Sequence, residues 1–160
     1  MDNRLFFPAT QRNRNYIGDV LSNIIKKNDS ILEIGSGSGE HGVAFQKRFP
    51  EIVWQTSDPD LIHIKSISSW IKYEELNKKM PQPIMLNVEN IPWKIPLKLV
   101  HSLQGIVSIN MIHSAEWIAT IALFKWVGKL LNKGQILIFY GPFKIGNKHT
   151  SQSNYFLIFH

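Results

Sequence analysis

The 160-residue chain contains no cysteine, which excludes disulfide bonds and thiolate metal sites. No apolar run approaches the roughly 20 residues that a helix needs to cross a bilayer. The N-terminal segment also lacks the apolar core and the small-residue cleavage site of a secretion signal. These absences predict a cytoplasmic protein with no membrane partner, and the length predicts one domain over residues 1–160.

Acidic residues are fewer than basic ones. The chain has 12 Asp and Glu against 18 Lys and Arg, a formal net charge of +6, and a pI near 9.6. The basic residues are scattered between Arg4 and Lys148, and no run is longer than two. Proteins dedicated to nucleic acids more often concentrate their positive charge in one stripe or arm. The charge pattern therefore argues against nucleic acid as the partner.

Helical and extended patterns alternate along the chain, which is typical of a parallel sheet covered by helices. Short apolar segments predict five buried strands, at residues 31–34, 52–56, 84–88, 105–109 and 136–140. Apolar spacing predicts helices over roughly residues 11–27, from the glycine-rich segment to Pro50, around residues 64–71, and from Trp117 to about Asn132. The predicted fold class is therefore α/β, with a mostly parallel, doubly wound sheet.

A glycine-rich segment follows the first strand and reads Glu-Ile-Gly-Ser-Gly-Ser-Gly over residues 33–39. Glycines at this place permit a tight turn and let the backbone approach a ligand without interference from a Cβ atom. Asp58 ends the second strand, 19 residues after Gly39, where its carboxylate can accept hydrogen bonds from both ribose hydroxyls of an adenosine cofactor. A purely structural turn is the alternative, but the strand–loop–helix setting and Asp58 favour a nucleoside cofactor.

NAD and S-adenosylmethionine are the two candidate cofactors. The NAD fingerprint is Gly-x-Gly-x-x-Gly, in which a helix N-terminus meets a pyrophosphate. Here the spacing is Gly-x-Gly-x-Gly, and Glu33 precedes it. An acidic strand end and closely spaced glycines suit a cationic sulfonium ligand that carries no phosphate. The segment therefore favours S-adenosylmethionine.

Several further blocks occur in an order that resembles one known family. They are Gln11-Arg12-Asn13, Leu32-Glu33-Ile34 leading into Gly35-Ser36-Gly37, Trp54-Gln55-Thr56-Ser57-Asp58-Pro59-Asp60, Asn110-Met111-Ile112-His113, Tyr140-Gly141-Pro142-Phe143, and His149-Thr150-Ser151 with Ser153-Asn154. From Phe7-Pro8-Ala9 to about Asn154, the chain resembles the methyltransferase-like 26 family of small class I methyltransferase-like proteins. The resemblance implies a Rossmann-like class I methyltransferase fold.

The resemblance also implies which residues contact S-adenosylmethionine. Within and after the glycine-rich segment the expected contacts are Glu33, Gly35, Ser36, Gly37, Gly39 and Asp58. It further implies Asn87 near the adenine and Asn110 near the methyl-bearing sulfur. Family members usually carry Asp at the position of Asn87, and an amide there can still donate and accept hydrogen bonds at an adenine edge.

Candidate catalytic and substrate residues are expected at the carboxyl ends of strands four and five, where open α/β sheets bind ligands. We expect catalytic roles for Asn110, His113 and Tyr140, and substrate contacts from Arg12, Asn13, His149 and Ser151. His113 either titrates near neutral pH as a general base or only satisfies backbone groups at a strand end. Asn110 lacks the following Pro-Pro-aromatic pattern of amino-methylating nucleic-acid enzymes. No spacing indicates a metal site, and we expect a small-molecule acceptor.

The carboxyl end departs from the family pattern. The resemblance implies a further helix and a β-hairpin after the fifth strand, whereas the match fades at Ser153 and Asn154. We therefore expect a C-terminally truncated member without this hairpin. Its fifth strand would then be an exposed edge prone to self-association, unless the apolar tail at residues 155–160 covers it. Two functions stay open: a methyltransferase, and a non-catalytic domain that binds the cofactor weakly or not at all.

Overall fold

The computed structural model describes residues 2–145, 148–149 and 155–159. Its helices are α1 (Pro8–Leu21), α2 (Glu40–Arg48), α3 (Leu61–Tyr73), α4 (Leu97–Ser102), α5 (Met111–Ser114) and α6 (Trp117–Leu130). Its strands are β1 (Ser30–Ile34), β2 (Val53–Asp58), β3 (Ile84–Met85), β4 (Leu103–Ile109), β5 (Ile136–Gly141), β6 (Lys144–Ile145), β7 (Lys148–His149) and β8 (Tyr155–Phe159). Within the described ranges, no helix has both the length and the apolar character needed to cross a membrane.

Six of these strands form one sheet, in the order β3-β2-β1-β4-β5-β8. The first five run parallel, with Ser30 of β1 paired to Val53 of β2 and Ile31 paired to Gly105 of β4. The chain moves outward from β1 to β2 and β3, then crosses back to β4 on the other side of β1. This order confirms the predicted doubly wound α/β fold.

The two faces of the sheet each carry an apolar core, because alternate side chains of a strand point to opposite faces. Ile31 belongs to the core that packs against α1, α2 and α3, with Leu21, Phe45, Trp54, Ile67 and Ile138. Leu32 belongs to the core that packs against α4 and α6, with Leu99, Ile106, Leu123, Leu137 and Phe139. Helices on both faces explain why the central strands are apolar at nearly every position.

The first helix begins and ends earlier than the spacing predicts. Pro8 occupies its first turn, where the missing N–H costs nothing and the fixed φ favours a helix start. The helix ends at Leu21 rather than near residue 27. Ile24 and Ile25, which continue the apolar pattern, instead lie in the following turn and pack against the first core.

The third strand is also shorter than the predicted segment 84–88. It pairs with β2 only over Ile84 and Met85. Just beyond, Oδ1 of Asn87 accepts a hydrogen bond of 2.9 Å from the N–H of Glu89. An Asn side chain that binds the backbone two residues ahead forms a turn, so the chain leaves the sheet here.

The carboxyl-terminal strand covers β5. β8 pairs with it antiparallel, with Leu137 opposite Phe159 and Tyr140 opposite Phe156. The expectation of an open edge at β5 is therefore wrong, and the alternative that the apolar tail covers this strand is confirmed. β6 and β7 form a separate two-stranded hairpin. Self-association through a sheet edge stays a prediction, and the edge concerned is now the outer one of β8.

Candidate functional site

A cavity of about 540 Å³ opens beyond the carboxyl ends of β1, β2 and β4. The strand order changes direction between β1 and β4, and such a switch point is where open α/β sheets bind ligands. The cavity volume is in the range of small-molecule sites. We call it the switch-point cavity; its walls come from the start of α1, the glycine-rich segment, the β2–α3 junction and the β4–α5 junction.

Two glycines of the segment line this cavity. Gly35 and Gly37 have φ values of +70° and +55°, which glycine adopts at no steric cost. A Cβ on Gly35 would lie 2.8 Å from Cγ of Met111, and a Cβ on Gly37 would lie 3.0 Å from Cε2 of Phe7. Met111 and Phe7 line the cavity as well. The segment is thus a close-fitting cradle in which side chains would collide with the opposite walls.

Three backbone N–H groups of the glycine-rich segment are already hydrogen-bonded within the chain. The N–H of Ser36 donates to the carbonyl oxygen of Ser57 at 2.9 Å, and that of Gly39 donates to the carbonyl oxygen of Ser36 at 3.1 Å. The N–H of Gly37 donates to Oδ2 of Asp58 at 2.8 Å. Because these donors are engaged, they are not presented to a phosphate group.

Asp58 lines the cavity next to the glycine-rich segment, and its carboxylate accepts hydrogen bonds from three donors. Oδ1 accepts hydrogen bonds of 2.9 Å from the N–H of Asp60 and from Nδ1 of His63, and Oδ2 accepts the bond from Gly37. A carboxylate accepts about four hydrogen bonds, so one acceptor position remains on Oδ2. The predicted contact with two ribose hydroxyls therefore requires the His63 side chain, which is 29% exposed, to move.

Glu33 is placed beneath the glycine-rich segment rather than in the cavity. Its side chain is buried, and Oε2 accepts a hydrogen bond of 2.8 Å from Nε1 of Trp54. Burial raises the pKa of the Glu33 carboxyl to about 7, against the opposing effect of the Trp54 hydrogen bond. The structure thus places Glu33 as a support of the segment, without contact to the cavity.

Gly39 and Asn87 also lie off the switch-point cavity. A Cβ on Gly39 would lie 2.9 Å from the backbone Cα of Ile67, so this glycine lets α2 and α3 pack closely. Asn87 is exposed and lines a second cavity of about 520 Å³ together with Trp93. The two cavities share Pro59 as a common wall, which places Asn87 next to the site rather than within it.

Of the catalytic candidates, Asn110 lines the cavity and Tyr140 does not. Asn110 follows β4 with a φ of +59°, and its N–H donates to the carbonyl oxygen of Tyr140 at 2.8 Å. The side chain of Tyr140 is buried in the first core, its ring centroid 6.4 Å from that of Tyr16. Alternate side chains of a strand point to opposite faces, and that of Tyr140 points into the core. Its place near the end of β5 does not by itself show this direction.

His113 packs on the end of β5. A Cβ on Gly141 would lie 2.6 Å from Nε2 of His113, and the imidazole lies edge-on to the ring of Phe143 at 4.9 Å. Partial desolvation lowers the pKa of His113. This side chain is not part of the cavity wall, so the geometry supports a packing role over the predicted general base.

The substrate candidates are dispersed. Arg12 is exposed on α1 and does not line the cavity. Oδ1 of Asn13 accepts a hydrogen bond of 2.8 Å from Nε2 of His41 and so joins α1 to α2. His149 belongs to β7 with its side chain outside the described part of the structure, and Ser151 lies outside the described residues.

Sequence reasoning missed the N-terminal strap, residues 2–7. The strap is held by three hydrogen bonds: the N–H of Leu5 to Oγ of Ser66 at 2.9 Å, Nε1 of Trp70 to the carbonyl oxygen of Leu5 at 3.0 Å, and the N–H of Phe7 to Oε2 of Glu40 at 2.7 Å. This anchoring brings Phe7 to the cavity. In the sequence, the block Phe7-Pro8-Ala9, where the family resemblance begins, is the feature that could have indicated the strap.

Two histidines in the cavity wall were missed as well. His41 lies in the first turn of α2 and His63 in the first turn of α3. Only their position just after the glycine-rich segment and Asp58 could have indicated them. Among the described residues, no group of three or more His, Asp or Glu side chains is placed to hold a metal ion.

Residues 4–157 match the family described as "Protein of unknown function (DUF938)". The chain belongs to the DUF938 family. The match covers nearly the whole chain. It includes the strap from Arg4 onward, the glycine-rich segment, Asp58 and the first three residues of β8.

Solved structures show what the DUF938 fold is similar to. A provisionally assigned S-adenosyl-L-methionine-dependent methyltransferase from Methanococcus maripaludis has a TM-score of 0.68 at 19% identity, over 82% of this chain and 57% of that one. A protein from Pyrococcus horikoshii OT3 has a TM-score of 0.68 at 16% identity, over 84% and 58%. A SAM-dependent methyltransferase from Geobacter sulfurreducens, in complex with S-adenosyl-L-homocysteine, has 0.62 at 13%, over 91% and 53%. The DUF938 chain therefore has a Rossmann-like methyltransferase fold and spans little more than half the length of these neighbours.

Proposed function

We propose that this chain is an S-adenosylmethionine-dependent methyltransferase that acts on a small-molecule acceptor. The observation that carries the proposal is that the glycine-rich segment, the Asp58 carboxylate and Asn110 line one cavity at the switch point. Several structural neighbours bear the names of SAM-dependent methyltransferases, and the one from Geobacter sulfurreducens holds S-adenosyl-L-homocysteine. Their likeness supports the fold, and the cavity residues support the ligand.

The residues of the cavity fit S-adenosylmethionine better than a dinucleotide. Gly35 and Gly37 line the cavity and let Met111 and Phe7 approach the segment more closely than Cβ atoms would permit. The N–H groups of Ser36, Gly37 and Gly39 are engaged within the chain, so these three donors are not offered to a pyrophosphate. A sulfonium ligand carries no phosphate, and its positive charge is compatible with the carboxylates of Asp58 and Asp60 in the wall.

The chain's own residues would bind and orient the reactants. The cradle at Gly35, Ser36 and Gly37 would hold the amino-acid part of S-adenosylmethionine, and Asp58 would accept a ribose hydroxyl on its remaining Oδ2 position. Asn110, in its left-handed conformation after β4, would face the reacting centre. When bound, S-adenosylmethionine supplies an electrophilic methyl group, and holding the nucleophile in line with it can provide most of the catalysis.

A second candidate function is a cofactor-binding domain that transfers no methyl group. It is favoured by the placement of His113 and Tyr140 outside the cavity wall. Methyl transfer to any acceptor by the purified chain would exclude this candidate.

Three finer assignments belong to the same proposal. We assign the chain to the methyltransferase-like 26 family on the strength of its ordered sequence blocks. Nucleic acid is not the expected acceptor, because the basic residues are scattered along the chain. A cytoplasmic location stays a prediction from the sequence.

Matched substitutions at Asp58 and Asp60 test the proposal. Both carboxylates line the cavity, and Asp→Asn removes one charge at either position while keeping a side-chain oxygen. Asp58→Asn should weaken S-adenosyl-L-homocysteine binding by roughly 1–3 kcal/mol, the range for losing a hydrogen bond to a charged group. Asp60→Asn keeps the acceptor for the N–H of Ile62 and should change the affinity little. If calorimetric titration shows the same loss of affinity in both variants, Asp58 contributes only its negative charge and no specific hydrogen bond to the ligand.

A further inference from the structure

His41 is held rigidly at one wall of the switch-point cavity. Its imidazole stacks on the ring of Phe45, with centroids 5.6 Å apart and planes 17° apart. Nε2 lies 2.8 Å from Oδ1 of Asn13. An amide oxygen only accepts hydrogen bonds, so Nε2 carries the proton and Nδ1 keeps a lone pair. Stacking and the hydrogen bond together fix the ring and its tautomer.

His41 lines the cavity, and Nδ1 is the ring atom that keeps the capacity to accept a hydrogen bond. Among the described residues, the imidazole of His41 makes one hydrogen bond, from Nε2 to Asn13. Burial, assisted by the positive charge of Arg14, lowers the pKa of His41 to about 4. The ring is therefore neutral at pH 7 and presents an acceptor rather than a charge.

The surroundings of His41 disfavour anions. The cavity wall contains the carboxylates of Asp58 and Asp60, and its described lining residues include neither Lys nor Arg, although the chain has 18 of them. Beside His41, the start of α1 contributes Ala9 and Thr10. The positive charge of Arg14 acts on His41, but Arg14 does not line the cavity. An anionic ligand would therefore lose its hydration here without direct contact to a Lys or Arg side chain of the cavity wall. A neutral O–H or N–H group would find an acceptor.

We propose that the methyl acceptor is a neutral alcohol, phenol or amine, and that it binds at the side of the cavity formed by His41 and the start of α1, donating its O–H or N–H to Nδ1 of His41. This inference rests on the proposed function, because S-adenosylmethionine has to occupy the side of the glycine-rich segment. The hydrogen bond would orient the nucleophilic atom. It would also reject carboxylates and phosphates, whose lone pairs would oppose that of Nδ1.

Nitrogen-15 NMR of the histidine side chains tests this binding mode without a measurement of methyl transfer. The His41 signals are identified by their loss in His41→Phe, and the protein is saturated with S-adenosyl-L-homocysteine. Phenol, aniline and benzoate serve as probes with one ring and different polar groups. We expect an unprotonated Nδ1 whose signal moves with phenol and aniline and not with benzoate. A proton on Nδ1, no response to phenol and aniline, or an equal response to benzoate would overturn the inference.

His41→Phe provides the second measurement, since it keeps a ring against Phe45 and removes both nitrogens. Its affinity for S-adenosyl-L-homocysteine should stay within about twofold of wild type, whereas phenol binding in the presence of that ligand should weaken about tenfold or more. His101→Phe, at an exposed histidine of α4, should change neither. Unchanged phenol affinity in His41→Phe would refute the role of His41. Failure of the wild type to bind S-adenosyl-L-homocysteine would instead refute the proposed function.

Discussion

Two regions of the molecule are stabilised in different ways: the surroundings of the glycine-rich segment, and the outer edge of the sheet formed by β5 and β8. Around the segment, buried polar groups bond across long sequence distances: Oγ of Ser66 donates to the carbonyl oxygen of Ser38 at 2.6 Å, and Oγ of Ser57 donates to that of Glu33 at 2.7 Å. At the edge, rings pack instead, with Phe159 of β8 lying 6.1 Å from Phe139. Directional bonds fix positions more narrowly than apolar contacts do.

The exposed surface follows the same division. The outer face of α6 exposes four large apolar side chains, Trp117, Ile118, Ile121 and Phe124, and Phe159 beside it is 45% exposed. The glycine-rich segment, in contrast, has buried side chains at Ser36 and Ser38, and Glu40, the first residue of α2, is buried as well. The comparison indicates that the ligand site depends on backbone positions fixed by hydrogen bonds. The β5–β8 edge contributes mainly to the stability of the whole fold.

Gly39 and Gly134 have nearly the same φ, so substitutions at these two glycines allow a direct comparison of the two regions. Gly39 has a φ of +91° and Gly134, between α6 and β5, has a φ of +92°. Gly134→Ala should cost only the left-handed strain of about 1–2 kcal/mol, because nothing lies within 4 Å of its Cβ position. Gly39→Ala should cost roughly 3–4 kcal/mol, since the Cβ also meets the backbone of Ile67. Urea unfolding measures both; equal losses would contradict the tighter packing at Gly39.

The buried carboxyl of Glu33, beneath the glycine-rich segment, predicts that the stability of the fold depends on pH. Its folded-state pKa of about 7 lies above the ordinary value of 4.5, so the folded state retains a proton that the unfolded state releases between these values. Glu33 thus lowers stability as the pH rises through this window. Glu33→Gln cannot ionise and keeps an oxygen for Trp54. Its free energy of unfolding relative to wild type should therefore rise by roughly 2–3 kcal/mol from pH 5 to pH 8.

Thermal or urea unfolding across this pH range checks the Glu33 prediction. His41, whose pKa is lowered to about 4, contributes stability that increases with pH between about 4 and its ordinary value. That contribution is present in both proteins and cancels in the difference. A difference between Glu33→Gln and wild type that stays flat from pH 5 to pH 8 would mean that Glu33 is ionised in the folded state.

A substitution in β8 gives the smallest expected effect. Phe159→Ser removes a half-exposed ring that packs near Phe139 and Phe124 and should cost about 1 kcal/mol of stability. Ile158→Ser, on the opposite face of the strand and 38% exposed, is the matched control and should cost less. Neither should change S-adenosyl-L-homocysteine affinity. A clear loss of affinity in Phe159→Ser would show that the edge and the site are coupled.

The sequence predicts the fold and the loop side of the site because both depend on local order. Five strand segments alternate with helices, and Gly35, Gly37 and Asp58 follow directly from strand ends. Asn110 reaches the cavity for the same reason. Residues that end a strand in a parallel sheet gather at one edge, so spacing along the chain determines their neighbours.

The remaining wall depends on contacts between distant parts of the chain. Phe7 reaches the cavity because the strap bonds to α3, and His41 is fixed by Asn13 from another helix. No periodic pattern encodes such pairings. The side chain of Tyr140 lies in the core because strand alternation turns it away from the cavity. The antiparallel pairing of β8 with β5 likewise cannot be derived from the sequence of either strand alone.

Isothermal titration of the wild-type chain with S-adenosylmethionine, S-adenosyl-L-homocysteine and NAD tests the central claim most directly. The arrangement of the glycine cradle and Asp58 predicts binding of both sulfur ligands in the micromolar range and no binding of NAD. A folded sample, verified by a cooperative melt, that binds neither sulfur ligand would contradict the assignment of the switch-point cavity to S-adenosylmethionine. Binding of NAD at comparable affinity would contradict it equally.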